Sequence, residues 1–456
     1  MITYDVAVIG GGIVGSAIAR LLGGADLSVA LLEARGDVGD GTSKANTAIL
    51  HTGFDAKPGT LESRLVARGY HLLGEYAAAT GIPVERTGAL LVAWSQEQLD
   101  ALPGLRDKAA RNGYAACEIV DAAEVYRRVP ALGAGALGGL TVPGESVICT
   151  WTTNLALATD AVNRGVRLLR HHRVTAVHQD ADVTRLTTTA GEVTARWVVN
   201  AAGLGADRLD ALFGHDRFTV TPRRGELLVY DKLARPLAPC IVLPVPSSAG
   251  KGVLVSPTIY GNVMVGPTAE DLTDRTATGT SEAGLAFLRE KAATLMPALT
   301  KEEVTATYAG LRASIGRDDY LIDLDAGQRY LLVGGIRSTG LTAGMAIAEH
   351  VAELLGGHLD LAQRAGLPAP PRMPNLGEAF TRPYQDAAAI AADPEYGRVV
   401  CFCERVTCGE LRDALASPVP PADLEGLRRR TRAMNGRCQG FYCGARVREI
   451  FEGEKE

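Results

Sequence analysis

Five of the eight cysteines stand in the last 56 of 456 residues. Cys401 and Cys403 form C-x-C, Cys408 follows, and Cys438 and Cys443 form C-x4-C, with 34 residues between the two pairs. Cysteines clustered in this way in a reducing compartment read as metal ligands or redox groups, because structural disulfides are rare there. Two thiols one residue apart on a loop can hold one centre from the same side. Gly436, Gly440 and Gly444 around the second pair permit the tight backbone that aims N–H groups at sulfur. Structural zinc prefers pairs two to four residues apart, so C-x-C suits it poorly. Cys408 is expected to do no more than start a helix, and the isolated Cys117, Cys149 and Cys240 to pack.

At the other end, Gly10, Gly12 and Gly15 spell G-x-G-x-x-G directly after the apolar run "YDVAVI", and Glu33 closes the next apolar run 18 residues on. Glycines let the backbone turn and approach a pyrophosphate, the following helix offers unpaired N–H groups, and Glu33 can accept from ribose hydroxyls. The strand and helix context makes this a dinucleotide site, with NAD and FAD both compatible.

The elements that must position these groups follow from periodicity. Ile13, Ala17, Ile18 and Leu21 recur at helical spacing between two strand-like runs, a strand, helix, strand opening. Short β runs dominate 218–310, and "RYLLVGGIRSTGLTAGMAIAEHVAELL" returns to strand, turn and helix. The expected fold class is α/β: a dinucleotide-binding Rossmann-like domain with an interleaved β-rich substrate domain, plus a small C-terminal cysteine-rich module. The nucleotide-binding pieces are expected over 1–80, 145–215 and 305–363 and the substrate-side pieces over 81–144 and 216–304. Six prolines from Pro368 to Pro394 mark 364–396 as a linker or wrapping arm, leaving 397–456 as a module of its own.

A net charge of -5 argues against a nucleic-acid partner. No leader-like start and no transmembrane run of about 18 apolar residues is present, so the expected location is cytoplasmic, or peripheral at the inner face of the membrane through a partner.

"EARGDVGDGTSKANTAILHTGFDAKPGTL", "PTIYGNVMVGPTAEDL", "YAGLRASIGRDDYLID" and "GGIRSTGLTAGMAIAEH" resemble, in order, blocks of the D-amino-acid-oxidase-like flavoproteins, above all the glycerol-3-phosphate dehydrogenases and oxidases. The likeness covers most of 1–360 and implies FAD. It places Ser43, Lys44 and Asn46 along the cofactor, Val174 near the adenine, Ala201 and Gly203 near the pyrophosphate, and Gly340, Leu341 and Thr342 where a helix N-terminus faces the flavin pyrimidine. It also implies His51 as the base for the substrate hydroxyl, since an imidazole titrates near neutrality, with Thr47 bonding substrate or His51. Lys251, Arg312, Arg337 and Ser338 would hold a small anionic substrate, and Tyr260 and Thr258 would line the same pocket. Thr339 stands where the family pattern has proline.

"TRAMNGRCQGFYC" resembles the 2Fe-2S domain of bacterioferritin-associated ferredoxins, which implies Cys401, Cys403, Cys438 and Cys443 as cluster ligands. The arginine run Arg428, Arg429, Arg430, Arg432 and Arg437 reads as a solvated helix face or a dock for an acidic electron-transfer partner. Together the likenesses imply an FAD-dependent glycerol-3-phosphate dehydrogenase whose electrons leave by the cluster to an electron-accepting subunit or a membrane quinone. The alternatives are a dehydrogenase of another 2-hydroxy acid or polyol phosphate such as L-2-hydroxyglutarate, one of an amino or imino acid, and a non-catalytic electron-transfer subunit.

Overall fold

The structure, a computed structural model, describes residues 2–246 and 252–453, so Lys251 lies outside the described residues. Strand β1 (Thr3–Ile9) is buried from Val6 onward, as a central strand covered on both faces must be. It ends at Gly10, whose φ of +112° turns the chain into α1 (Ile13–Leu22). A β-carbon on Gly10 would meet the Ala201 carbonyl oxygen at 2.4 Å, and one on Gly15 would meet the Gly10 carbonyl oxygen at 1.9 Å, so both glycines are forced by close backbone approach. Strand β2 (Val29–Leu32) pairs parallel to β1.

The long helix α2 (Leu61–Thr80) starts at Thr60, whose hydroxyl accepts from the Ser63 N–H, and stops at Gly81 in the left-handed region. Further on come β3 (Ser146–Ile148), α3 (Thr150–Asn163) and β4 (Gly191–Asn200), which pairs parallel to β1 on its other side. Strands β5 (Thr221–Tyr230) and β6 (Val304–Ser314) form an antiparallel pair with Arg223 opposite Arg312 and Gly225 opposite Gly310. Strand β7 (Tyr330–Gly334) then joins the end of β4, Asn200 opposite Leu332, and leads to α4 (Gly340–Leu355). The result is an eight-stranded sheet centred on β1 and β4, and a nine-stranded sheet built around β5 and β6. Strand β6 ladders along nearly its whole length with β5, within the nine-stranded sheet.

Residues 364–396 are a strap pinned to the body. The N–H groups of Arg364, Met373 and Glu378 donate to the carbonyls of Gly24, Thr80 and Ile259, and Leu376 enters the main core. Beyond it, α5 (Cys408–Leu415) begins with a reciprocal cap between Thr407 and Glu410. Cys408 is the first residue of that helix. With α6 (Leu424–Thr431) it encloses a separate small core of Val406, Leu411, Leu427, Ala433, Val447 and Phe451.

Most of the arginine run is engaged within the chain, with Arg437 half exposed. Arg430 binds Asp37 at 2.6 and 2.9 Å, Arg429 reaches Asp37 and Asp40 at 3.0 Å each, and Arg437 holds Asp231 at 2.8 Å. Arg432 is buried and bonds Glu404 at 2.9 Å. Sequence alone could not separate a docked basic face from a free one, because both have the same helical spacing. Asp37 and Arg430 are only 2% and 4% exposed in their side chains, and cutting such a pair strands a buried charge. Arg430→Leu is therefore expected to cost about 3 kcal/mol. A lowered melting temperature and faster tryptic release of the tail would show it; an unchanged melting curve would refute it.

Candidate active site and metal centre

The segment 42–51 lies between β6 and the start of α4. The Thr42 hydroxyl donates to the Leu311 carbonyl at 2.9 Å, and a β-carbon on Gly310 would sit 2.1 Å from the Ala45 carbonyl oxygen. Ser43 accepts from the Ile13 N–H at 2.9 Å, directly at the glycine-rich turn. Lys44 pairs with Asp40 at 2.7 Å, and Asn46 bonds the Ser43 carbonyl and the Thr150 hydroxyl. Glu33 accepts from the Gly11 N–H at 2.8 Å, and burial pushes its carboxyl above the usual range. Ala201 bonds Ile9 through its N–H, Gly203 follows with φ +56°, and Val174 opens a strand pairing with Thr188. The two glycine contacts, the Ser43 hydroxyl and the buried carboxylate form a backbone-lined cradle at a helix N-terminus, which suits the pyrophosphate and ribose of FAD.

At α4 no side chain caps the helix, so Gly340 and Leu341 offer N–H groups there. Thr339, the departure from the family pattern, bonds Glu62 at 2.7 Å and Tyr320 at 2.6 Å, outside the turn. The Thr342 hydroxyl accepts from the His51 N–H at 3.0 Å and so ties the helix start to the candidate base.

His51 is held by a group that the sequence did not announce. Its Nδ1 lies 3.0 Å from Glu145 Oε1, and the same oxygen accepts from the Thr52 N–H and hydroxyl at 2.7 Å each. Glu145, 2% exposed, sits at the turn into β3. A carboxylate can only accept here, so Nδ1 carries a proton, which leaves Nε2 as the ring position for proton exchange with a substrate. Asp55 lies 3.7 Å from Nε2, where it can stabilise an imidazolium once formed. The i,i+4 spacing of His51 and Asp55 was a usable signal; Glu145, 94 residues away in "VPGESVI", had none.

Arg312 is largely buried, and burial, reinforced by Arg223, pushes its guanidinium pKa down. Among the described residues its hydrogen bonds are two long ones, 3.4 and 3.5 Å, to the Thr268 carbonyl, and it meets no carboxylate. Gly225 makes room for it: a β-carbon there would stand 2.6 Å from the guanidinium. Such a cation lacks the compensation that buried charges ordinarily have.

The other expected anchors are arranged differently. Arg337 is engaged by Glu62 at 2.8 Å and by the Asp318 carbonyl, so its charge is met within the protein, and Ser338 beside it is exposed. Tyr260 does not face an open pocket: it stacks on Trp151 at 5.1 Å beneath the Arg432 guanidinium at 4.1 Å, with its hydroxyl on Cys149. A turn tyrosine with a wide apolar face was claimed by the docked tail. Thr258 closes that turn by accepting from the Asn262 N–H. Thr47 is half-buried between Asn46 and Ala48.

In the tail, the four cysteines of the two pairs face one another as Cys401 with Cys443 and Cys403 with Cys438. The Tyr442 N–H, together with those of Gly440 and Phe441, donates to the Cys438 sulfur and holds its pKa below the ordinary thiol value. Among the described residues no three His, Cys, Asp or Glu converge on a single metal ion. Four thiols in two pairs with backbone donors aimed at sulfur fit an iron-sulfur cluster held by cysteine alone.

The fold and these two sites define a two-cofactor redox protein, a flavin-type α/β body with an iron-sulfur module docked on it. Residues 5–354 match the family model described as FAD dependent oxidoreductase, and 399–453 match the BFD-like 2Fe-2S binding domain. The chain belongs to the FAD dependent oxidoreductase family, and its cofactors are FAD and a 2Fe-2S cluster.

It is 34% identical over 458 residues to a glycerol 3-phosphate dehydrogenase of Caloramator mitchellensis, covering 99% of this chain and 94% of that one. A glycerol 3-phosphate oxidase of Mycoplasma pneumoniae is 30% identical, covering 78% of this chain and 95% of its own. The FAD-bound, dithionite-reduced L-alpha-glycerophosphate oxidase structure from that organism superposes with a TM-score of 0.77 at 27% identity, over 82% of this chain and all of that one. An Escherichia coli L-2-hydroxyglutarate dehydrogenase is 29% identical over 58% of this chain and 64% of that one. The activity class is accordingly FAD-dependent oxidation of a CH–OH group. No helix among the described residues is long and apolar enough to cross a membrane.

Proposed function

We propose that this protein oxidises sn-glycerol 3-phosphate at its secondary alcohol to dihydroxyacetone phosphate, and that the electrons leave through the 2Fe-2S centre to a partner subunit or quinone system. The observation that carries this reading is Arg312, a largely buried cation beside the 42–51 segment that meets no carboxylate among the described residues and can be compensated by the anionic end of a substrate. The names of the two glycerol 3-phosphate relatives favour phosphate as that anion. Bound FAD supplies the acceptor for the carbinol hydride. His51 Nε2 takes the hydroxyl proton, Glu145 keeps the imidazole in the right tautomer, and Asp55 faces the charge that results. Lys251 and Thr47, carried over from the family likeness, complete the substrate contacts.

The test is anaerobic bleaching of the flavin by a panel of glycerol 3-phosphate, L-2-hydroxyglutarate and imino acids. Fast bleaching by glycerol 3-phosphate alone is expected. If only 2-hydroxyglutarate or an amino acid bleaches the flavin, the phosphate assignment fails, and if nothing does, the chain is an electron-transfer subunit.

A further inference from the structure

Between the flavin-side loop and the cluster module stands a continuous run of contacts that neither site uses. The Trp151 indole N–H donates to the Lys44 carbonyl at 3.0 Å, and its neighbour Thr150 donates to the Ser43 carbonyl at 3.0 Å. The Trp151 ring stacks on Tyr260, centroids 5.1 Å apart at 27°. Arg432 covers both rings, 4.1 Å from the Tyr260 centroid and 5.8 Å from that of Trp151. Its Nε then bonds Glu404, the residue after the ligand Cys403, at 2.9 Å. Lys232 reaches the same carboxylate at 3.2 Å. Burying this much aromatic and guanidinium surface at one contact fixes the orientation of the module.

We propose that the module is held permanently in its electron-receiving position, and that Trp151, Tyr260 and Arg432 form the contact through which electrons cross from the flavin pocket to the Cys403 side of the cluster within one chain. The proposal rests on the function given above. Oxidation of the alcohol breaks one C–H and one O–H bond and releases two electrons and two protons. The cluster accepts one electron at a time, so a single turnover without an outside acceptor leaves one electron on the cluster and the other on the flavin, and continued turnover needs a one-electron acceptor such as ferricyanide to take them in sequence.

The experiment mixes holoenzyme with glycerol 3-phosphate anaerobically and follows flavin bleaching optically and the reduced-cluster signal by freeze-quench electron paramagnetic resonance. In the unaltered protein the cluster is reduced at a rate independent of enzyme concentration; a rate rising with concentration would mean transfer between chains and overturn the proposal. Trp151→Leu is expected to slow cluster reduction at least about tenfold, the effect of some 1.4 kcal/mol on a rate, while Trp151→Phe, which keeps a stacking ring, restores it. Dithionite should give both variants the full cluster signal, which separates slow transfer from a lost cluster. Arg432→Met supplies an independent variant if Trp151→Leu folds poorly. Normal cluster reduction in both Trp151→Leu and Arg432→Met overturns the proposal, whereas failure of the substrate to bleach the flavin at all counts against the assigned function instead.

Discussion

Arg312→Met is expected to lower kcat/KM for glycerol 3-phosphate by about 10²–10³-fold, the range for truncating one partner of a buried charge pair. The melting temperature should stay level or rise. These opposite signs come from one fact: among the described residues, the largely buried guanidinium meets nothing stronger than the Thr268 carbonyl. Removing a cation that the protein itself does not compensate relieves desolvation, and replacing buried charge by an apolar side chain of similar length is often neutral or stabilising. Activity toward uncharged glycerol, which never used the cation, should change little, so the preference for the phosphorylated alcohol collapses. Steady-state kinetics with both alcohols and a melting curve check it. A retained preference would remove Arg312 as the anion anchor, and a large fall in melting temperature would make it a structural residue.

His51→Ala should slow anaerobic flavin reduction by about 10²–10⁴-fold, the usual worth of a positioned general base. Glu145→Gln tests the pair more sharply. The amide keeps the size of the side chain but removes the negative charge 3.0 Å from Nδ1. An adjacent opposite charge favours the protonated imidazole, so its loss lowers the imidazole pKa. The acid limb of the rate profile therefore moves to lower pH while the plateau falls, because the weaker base does less work in the transition state and the tautomer is less well fixed. Reduction rate constants measured across the pH range decide the point. A lower plateau with an unmoved limb would reduce Glu145 to a packing role, and an unchanged His51→Ala rate would move the base elsewhere.

Much of this architecture was legible from residue order. The glycine fingerprint after "YDVAVI" located the cradle because close backbone approach admits nothing but glycine at Gly10 and Gly15. The paired cysteines pointed to a metal or redox centre, and the likeness of "TRAMNGRCQGFYC" to the ferredoxin domain made it a 2Fe-2S cluster. What was hidden depends on three-dimensional pairing. Glu145 sits in a turn as ordinary in sequence as any other, and acquires its meaning only when β3 lays it against His51. Arg337 and Arg312 have the same kind of sequence setting, but one found Glu62 and the other found no carboxylate among the described residues. Tyr260 stacks on Trp151 and most of the arginine run pairs within the chain, neither of which a periodic pattern discloses, because it shows that a face exists without showing what covers it.

The order of strands in the eight-stranded sheet also sets when this protein can become itself during synthesis. β1 emerges among the first ten residues, but its far-side neighbour β4 ends at Asn200, and β4 is sealed by β7 only after Gly334. Until then the Val198–Asn200 edge stands open, and the loop closures that join these strands cost entropy before they return any contact energy. Helix α4, whose start faces His51 through Thr342, is made later still. The pocket at the glycine turn therefore closes only when residues far apart in the chain have met, since Gly10 packs against the Ala201 carbonyl.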